Sequence, residues 1–476
     1  MHVRIGRWNV PGRPVAVLVD FQPYFAMKND IYTRLWEDYG VDSLHAYGDY
    51  DEASMFSYAA GLVVESYYNH VLKGQCEHVV YQAHEWMTGL GALYIQKHVP
   101  EVATIFTTHA TTIGRSIAGN HKPLYEYLFA YNGNQMAQEL NVQSKHSIER
   151  ETAHHVDCFT TVSEVTNREC AELLDKPADV VLMNGFEKDF VPSKALFARK
   201  RREARRKLRE VAGALLGTEF DDDVMIISTS GRYEFRNKGI DLYMEAMNRS
   251  LRNKDLTRKI LAFVQVPGWV CCPREDLKER LDSGKACDTP LQWPLLTHWL
   301  HEMSHDQVID YMKRYNMWNQ PEDKVKVIFV PCYLDGADGI FNMHYYDLLI
   351  GMDLTVYASY YEPWGYTPLE SVAFHVPCVT TNLSGFGLWV NQLLGKEGEL
   401  ADGVQVVRRT DYNSSEVADA IKDAITAYSA FTPHEVENIR HKAADISEHA
   451  LWKHFIQYYY QAYDLALHKA KQRRGR

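Results

Sequence analysis

Short apolar, β-branched runs recur along the chain and alternate with stretches of helical period. The first group lies at 14–20, 78–81, 103–107, 158–162 and 180–183. A second group follows at 224–228, 260–266, 325–330, 354–357, 378–381 and 404–407. Strands alternating with helices predict parallel sheets covered by helices on both faces. Two such groups predict two doubly wound domains facing each other. Between the groups, 193–216 is dense in arginine and lysine from Arg199 to Arg209. That stretch is read as a solvated linker helix, with an anion-binding face as the sharper alternative.

In open α/β sheets, ligands bind beyond the carboxyl ends of the strands. The segment from Tyr360 to Glu370 sits at such an end, because 353–357 reads as a buried strand. Thr367, Pro368 and Glu370 fit N-cap, N1 and N3 of a helix. A helix start there attracts phosphate through its free N–H groups. Glu362 on the loop and Glu370 in the first turn then reach sugar hydroxyls, so the site reads as one for a sugar nucleotide. Glu370 also fits a capping box that needs no ligand; Glu362 has no such structural duty. From Ser230 to Gly239 a second loop joins a strand to a helix, with Gly231 and Gly239 for the turns. Its Arg232 and Lys238 are placed to neutralise a departing diphosphate, where two cations replace a metal. His109 closes a strand in the first group, and Arg115 follows six residues later. Alone, His109 reads as a core histidine satisfied by backbone; Arg115 is what brings in a second polar group aimed at the cleft.

Composition narrows the class. The chain has 476 residues, 46% hydrophobic and 24% charged, with a net charge of −11. That supports two or three soluble domains with an ample core. It argues against a general nucleic-acid binder, which needs a basic face. No apolar run approaches the roughly 18 residues of a membrane span, and the first residues carry no signal-peptide core. Eight cysteines lie without a CxxC pair, the pattern of reduced cytosolic thiols. One competing motif needs a test. His301, Glu302 and His305 match H-E-x-x-H, which on a helix puts two histidines on one face for zinc. Tyr311 stands where a third histidine belongs, and Glu322 follows Pro321 in a polar stretch, so a zinc metalloprotease is the minor alternative.

Taken together these residues resemble glycogen synthases of the animal and fungal type, glycosyltransferase family 3. The matching stretches are 360–368, 380–387, 231–239, 106–111 with Gly114 and Arg115, and His84 to Trp86. The ending from Tyr459 to Leu467 is similar to the family's last helix, and the likeness runs from about Gly6 to the C-terminus. The resemblance implies a GT-B fold: an α/β protein of two Rossmann-like doubly wound domains with an active-site cleft between them. The boundaries expected are 1–192 for an acceptor domain incomplete at its N-terminus, and 193–220 for the linker helix. The nucleotide-sugar domain is expected at 221–450, and a helix crossing back at 451–476. The resemblance also implies transfer of glucose from UDP-glucose to the non-reducing-end 4-hydroxyl of an α-1,4-glucan such as glycogen, with retention. By position, Glu362 contacts the transferred glucose and Glu370 holds the ribose. Arg232 and Lys238 neutralise the diphosphate with backbone N–H groups at Tyr366 and Thr367, beside Gly365. Tyr345 matches a tyrosine that stacks on uracil, and His109 and Arg115 approach from the other domain. No metal or organic cofactor is expected, nor a nucleic-acid or membrane partner; a homo-oligomer stays open.

Three departures from the family shape the alternatives. The family opens with a strand and a glycine-rich loop over the donor phosphates, and this chain starts after it. A βαβ unit takes roughly 30 residues, so at least one is expected to be missing, which admits an inactive glycogen-binding pseudo-synthase. The stretch comparable to the family's arginine-dense regulatory helix, 438–445, is sparse in arginine. The region 282–323 is shorter than the family's helical insertion. ADP-glucose as donor and a pyridoxal-dependent phosphorylase are the remaining enzyme alternatives.

Overall fold

The computed structural model describes residues 2–285 and 287–475. Its contacts divide the chain into two units, Met1–Met183 with Phe455–Arg476, and Asn184–His454. Among the described residues, no helix is long and apolar enough to cross a membrane.

The first unit opens with a hairpin, β1 (Val3–Arg7) against β2 (Val15–Val19), in which Val3 faces Val19 and Arg7 faces Val15. This corrects the expectation that 14–20 joins the parallel strands. Gly12 and Arg13 both take positive φ, 80° and 42°, and return the chain at once. Antiparallel pairing accepts so short a connection, whereas a parallel partner needs a crossover of a dozen or more residues. The main sheet is parallel, in sequential order β3 (Val80–His84), β4 (Ala103–Thr108), β5 (Cys158–Thr161) and β6 (Val180–Val181). Both central strands are wholly buried, which is why they read as unbroken apolar and threonine runs. From Phe455 onward the last helix (Trp452–Arg474) belongs to this unit. Ala462, Ala466 and Ala470 recur every fourth residue and pack on Ile105, Cys158 and Leu182. Its end is pinned by Arg473, whose Nη2 donates to Asp157 at 2.9 Å.

The second unit holds a parallel six-stranded sheet. Its strands are β7 (Met225–Ser230), β8 (Ile260–Gln265), β11 (Val325–Val330), β12 (Leu354–Val356), β13 (Cys378–Thr381) and β14 (Val404–Val407). A small antiparallel pair, β9 (Val270–Pro273) with β10 (His298–Leu300), lies outside it. The spatial order is β11-β8-β7-β12-β13-β14. The chain runs outward from β7, then returns to place β12 on β7's other side. The crevice beyond the carboxyl ends of β7 and β12 is therefore the topological switch point, where doubly wound sheets bind ligands.

The arginine-rich helix (Lys194–Leu216) is part of this unit, not a solvated linker. Ala204, Leu208, Val211, Ala212 and Leu215 form a fully buried helical stripe. Above it, Arg201 and Arg205 donate to the two oxygens of Asp353 at 2.7 and 2.8 Å. Asp353 also accepts the Ile226 N–H at 2.9 Å. Burial alone would raise its pKa; Arg205 and Arg201 outweigh that and hold it below the ordinary carboxylate range.

Candidate active site

In the second unit, two loops meet at the switch point. The first leaves β7 at Ser230, turns at Gly231 (φ 138°) and ends at Gly239 (φ 69°). A Cβ on Gly239 would lie 1.9 Å from the Ala358 carbonyl oxygen. Only glycine allows this approach, and the approach lets the loops bond. The Asn237 carbonyl accepts the N–H groups of Tyr360 and Tyr361 at 2.9 and 3.1 Å. Beside that clasp, Lys238 Nζ donates to Glu362 Oε2 at 2.6 Å. Each of these side chains is 13% exposed, so the pair is shielded but open on one side.

The Glu362 loop is also sewn to the segment after β13. The Glu362 carbonyl accepts the Gly385 N–H at 3.1 Å, and that of Trp364 accepts the Phe386 N–H at 2.7 Å. The Ser384 hydroxyl donates to the Trp364 carbonyl at 2.9 Å. The loop then enters a helix, Tyr366–Ala373, through Gly365 at φ 115°. Gly365 is the N-cap, so the expected cap at Thr367 moves two residues upstream. Pro368 is tolerated two residues past the start because the whole first turn lacks intrahelical acceptors. The capping box also disappears: Glu370 Oε1 accepts the Tyr346 hydroxyl at 2.8 Å instead. Burial pushes the Glu370 carboxyl up to about 7, with the Tyr346 bond acting against it. Tyr345 starts the short helix Tyr345–Leu349, and its hydroxyl shares a hydrogen bond of 2.7 Å with Ser230 Oγ. The amides of Tyr366 and Thr367 head the helix with no intrahelical acceptor. Arg232 is exposed and pairs with Glu234 at 3.1 Å rather than with Glu362.

In the first unit, His109 follows β4 and Arg115 lies on the next helix, Thr112–Gly119. His109 Nε2 lies 3.0 Å from His84 Nδ1. Burial, then the neighbouring His84, push the His109 pKa down to about 4, so both rings are neutral at pH 7. Glu85, within the family-like stretch His84 to Trp86, meets the same turn: its Oε1 accepts the His109 N–H at 3.2 Å. Burial raises its carboxyl to about 7 against the pull of Arg115. It stands at φ 65°, ψ 163°, a backbone state costing roughly 1–3 kcal/mol that clusters at functional sites. Two further carboxylates hold the same turn: Glu149 and Glu169. Sequence reasoning missed them because they come from helices some 40 and 60 residues on; only the contacts reveal them.

Metal chemistry finds little support in the side-chain geometry. His301 to Asp306 form no helix, so H-E-x-x-H does not put two histidines on one face. His301 packs its ring on Trp269, and His305 is 81% exposed beside Glu302. His298, Cys332 and Asp338 do offer ligand atoms within 4.8 Å of one another. The ring of His298 and the carboxylate of Asp338 are already engaged. His298 Nε2 meets the Asp338 carbonyl at 2.9 Å and Nδ1 meets Thr297 Oγ1 at 2.8 Å. The Asp338 carboxylate accepts the amides of Ile340, Phe341 and Asn342. The cluster works as a brace for its loop.

The family model for glycogen synthase matches residues 1–272 and 275–474. The glycogen [starch] synthase of Neurospora crassa is 27% identical over 521 residues, covering 98% of this chain and 73% of that protein. The liver glycogen [starch] synthase of Rattus norvegicus is 26% identical over 520 residues, with 98% and 73% covered. Among solved structures, the catalytic domain of starch synthase IV from Arabidopsis thaliana, bound to ADP and acarbose, superposes with a TM-score of 0.52. It is 13% identical and covers 88% of this chain and 78% of that one. The N-terminal domain of Candida albicans trehalose-6-phosphate phosphatase also gives 0.52 at 13% identity, over 91% and 80%. At such identities the structural likeness speaks to the fold alone, the GT-B type with its two Rossmann-like domains.

Proposed function

The chain belongs to the glycogen synthase family, and from that membership we propose that it extends an α-1,4-glucan with glucose taken from UDP-glucose, retaining the anomeric configuration. Its class is that of a glycosyltransferase. The observation that carries the finer reading is the Lys238–Glu362 pair, 2.6 Å apart at the switch point. There a cation for a leaving phosphate and a carboxylate for a sugar share one crevice.

In this reading the diphosphate lies over the amides of Tyr366 and Thr367, where helix dipole and free N–H groups favour it. Lys238 and Arg232 add the charge that grows as the donor bond breaks, the place where preorganised charge lowers a barrier most. No metal or organic cofactor is invoked, since these cations do its work. Lys238 then exchanges its contact with Glu362 for the phosphate, and Glu362 turns to the glucose. Glu370, held by Tyr346, meets the ribose, and Tyr345 the uracil. His109 and Arg115 are the first-unit members of the same chemistry. No side chain is assigned as covalent nucleophile. Attack from the leaving-group face, with the departing phosphate taking the acceptor's proton, needs none. Trapping a glucosyl ester on the protein would sink that route.

The test is glucose incorporation into glycogen with UDP-glucose and ADP-glucose side by side. Transfer from UDP-glucose supports the proposal, and a preference for ADP-glucose replaces the donor. Glycogen co-sedimentation without transfer from either makes this a binding protein instead.

A further inference from the structure

The turn that carries His109 is held more heavily than a helix start requires. Helix Thr112–Gly119 already has an N-cap: Thr111 Oγ1 accepts the Gly114 N–H at 3.0 Å. Glu149 adds two bonds to that. Its Oε1 accepts the Thr108 hydroxyl at 2.6 Å, and its Oε2 accepts the Thr112 N–H at 2.8 Å. The two oxygens of one carboxyl thus grip the residue before His109 and the third residue after it. Glu149 is fully buried on the helix Gln143–His155, so the grip comes from a distant part of the chain. Burying a carboxyl costs several kcal/mol unless its bonds repay the lost hydration, and an apolar residue would fill the space at less expense. Helix capping accounts for only part of this: Thr111 takes the Gly114 N–H and Glu149 the Thr112 N–H, but the bond from Glu149 to the Thr108 hydroxyl caps nothing. What remains is the shape of the segment between the two bonds, and that segment is His109 to Thr111.

We propose that Glu149 is a positioning residue for the transfer reaction: by clamping Thr108 to Thr112 it fixes where His109 stands. This rests on the glucosyltransferase reading above. Glu149 touches neither substrate nor His109's ring and acts through the backbone. Around His109 the other titratable groups are His84, Glu85 and, on the following helix, Arg115. Glu85 meets the turn at the His109 amide, so it steadies one point that Glu149 brackets from both sides.

The experiment compares Glu149→Ala, Glu149→Gln and Thr108→Val in the full chain. Glucose transfer to glycogen is measured below each variant's own unfolding temperature. The imidazole resonance of His109 is followed in parallel as pH is varied. Glu149→Ala releases both bonds and is expected to lower kcat by about 30- to 100-fold, the scale of a displacement near 1 Å in a reacting group, with the UDP-glucose KM held within about threefold. Its His109 midpoint should move up from about 4 toward the ordinary 6.5 as the ring gains water. Glu149→Gln keeps an acceptor for the Thr112 N–H, and its amide can donate to Thr108 Oγ1. It should restore turnover to within about threefold and return the midpoint. Thr108→Val removes one bond without opening a hole, and covers the case in which Glu149→Ala does not fold. It should cost about five- to tenfold in kcat. Native kcat and an unmoved midpoint in Thr108→Val and in folded Glu149→Ala would overturn the proposal. So would Glu149→Gln proving as damaging as Glu149→Ala. If the unaltered chain transfers no glucose, the glucosyltransferase reading has failed, and the His109 midpoint still decides whether Glu149 sets the turn.

Discussion

The two units hold their candidate residues in different ways. In the second, Lys238 and Glu362 come from two loops bonded mainly backbone to backbone, through Asn237 to Tyr360 and Tyr361 and through Glu362 and Trp364 to the segment after β13. In the first, the His109 turn is held by side chains, the half-buried carboxyl of Glu85 and the fully buried ones of Glu149 and Glu169, each from a different element. A backbone clasp depends little on which residues occupy it, except where a glycine such as Gly239 must let chains approach. A carboxyl clamp depends on every member and on protonation. The second site should therefore fail through its reacting side chains, and the first through its supports.

Removing a reacting group sharpens that contrast most. Glu362→Ala should reduce transfer by at least roughly a thousandfold, as when a transition-state partner is deleted. Its unfolding midpoint should stay near that of the unaltered chain, because backbone bonds hold the loop. Unchanged turnover would remove Glu362 from the mechanism. Next comes Arg232→Ala, expected to lower kcat by about two to four powers of ten. Arg232 is exposed and pairs with its neighbour Glu234, so a stability loss instead would mean it braces its loop.

Asp353→Ala probes the second unit away from its crevice. It leaves Arg201 and Arg205 without their carboxylate partner, and should cost about 3–5 kcal/mol in urea unfolding. A loss below roughly 1 kcal/mol would mean water or other groups take over the guanidiniums.

The smallest effect is on pH. Glu85 and Glu149 stand at about 7 and about 8, and Glu370 at about 7, against 4.5 for an ordinary glutamate. Burial is the leading cause in each. A carboxyl whose folded pKa is raised keeps its proton when the unfolded chain has lost it. Its stabilisation is complete below pH 4.5 and fades as pH rises through the folded value. The first unit carries two such groups on one turn. Hydrogen exchange at 108–112 should therefore quicken more between pH 5 and 8 than at 360–367, after correction for intrinsic exchange. Glu149→Gln should flatten that dependence, and equal slopes in the two segments would erase the contrast.

The same contrast explains what could be read from the sequence. The Glu362 loop was legible because its chemistry is contiguous: strand, carboxylate, glycine, helix and second carboxylate within 18 residues, from Asp353 to Glu370. Most strands were legible because buried parallel strands are unbroken apolar runs. The hairpin β1–β2 was not, because an apolar run does not state its partner. The cap at Gly365 was misplaced by two residues, because proline is allowed throughout a first turn and marks its start only loosely. The arginine-rich helix was misread because Arg201 and Arg205 turn inward to Asp353 and the loop before β12, and charge counts alone do not say which side chains do so.

By itself, the sequence determined the two-sheet α/β class, the loop-to-helix passage after the strand at 354–356 and the placing of Glu362, Lys238 and His109 beyond strand ends, all of them properties of local order and side-chain type. Only the tertiary structure decided that Lys238 pairs with Glu362, that Glu370 answers to Tyr346 and that Glu149 grips the turn around His109. Those pairings join residues up to more than a hundred positions apart. Their partners are selected by how strands and helices pack, and no local pattern encodes that choice.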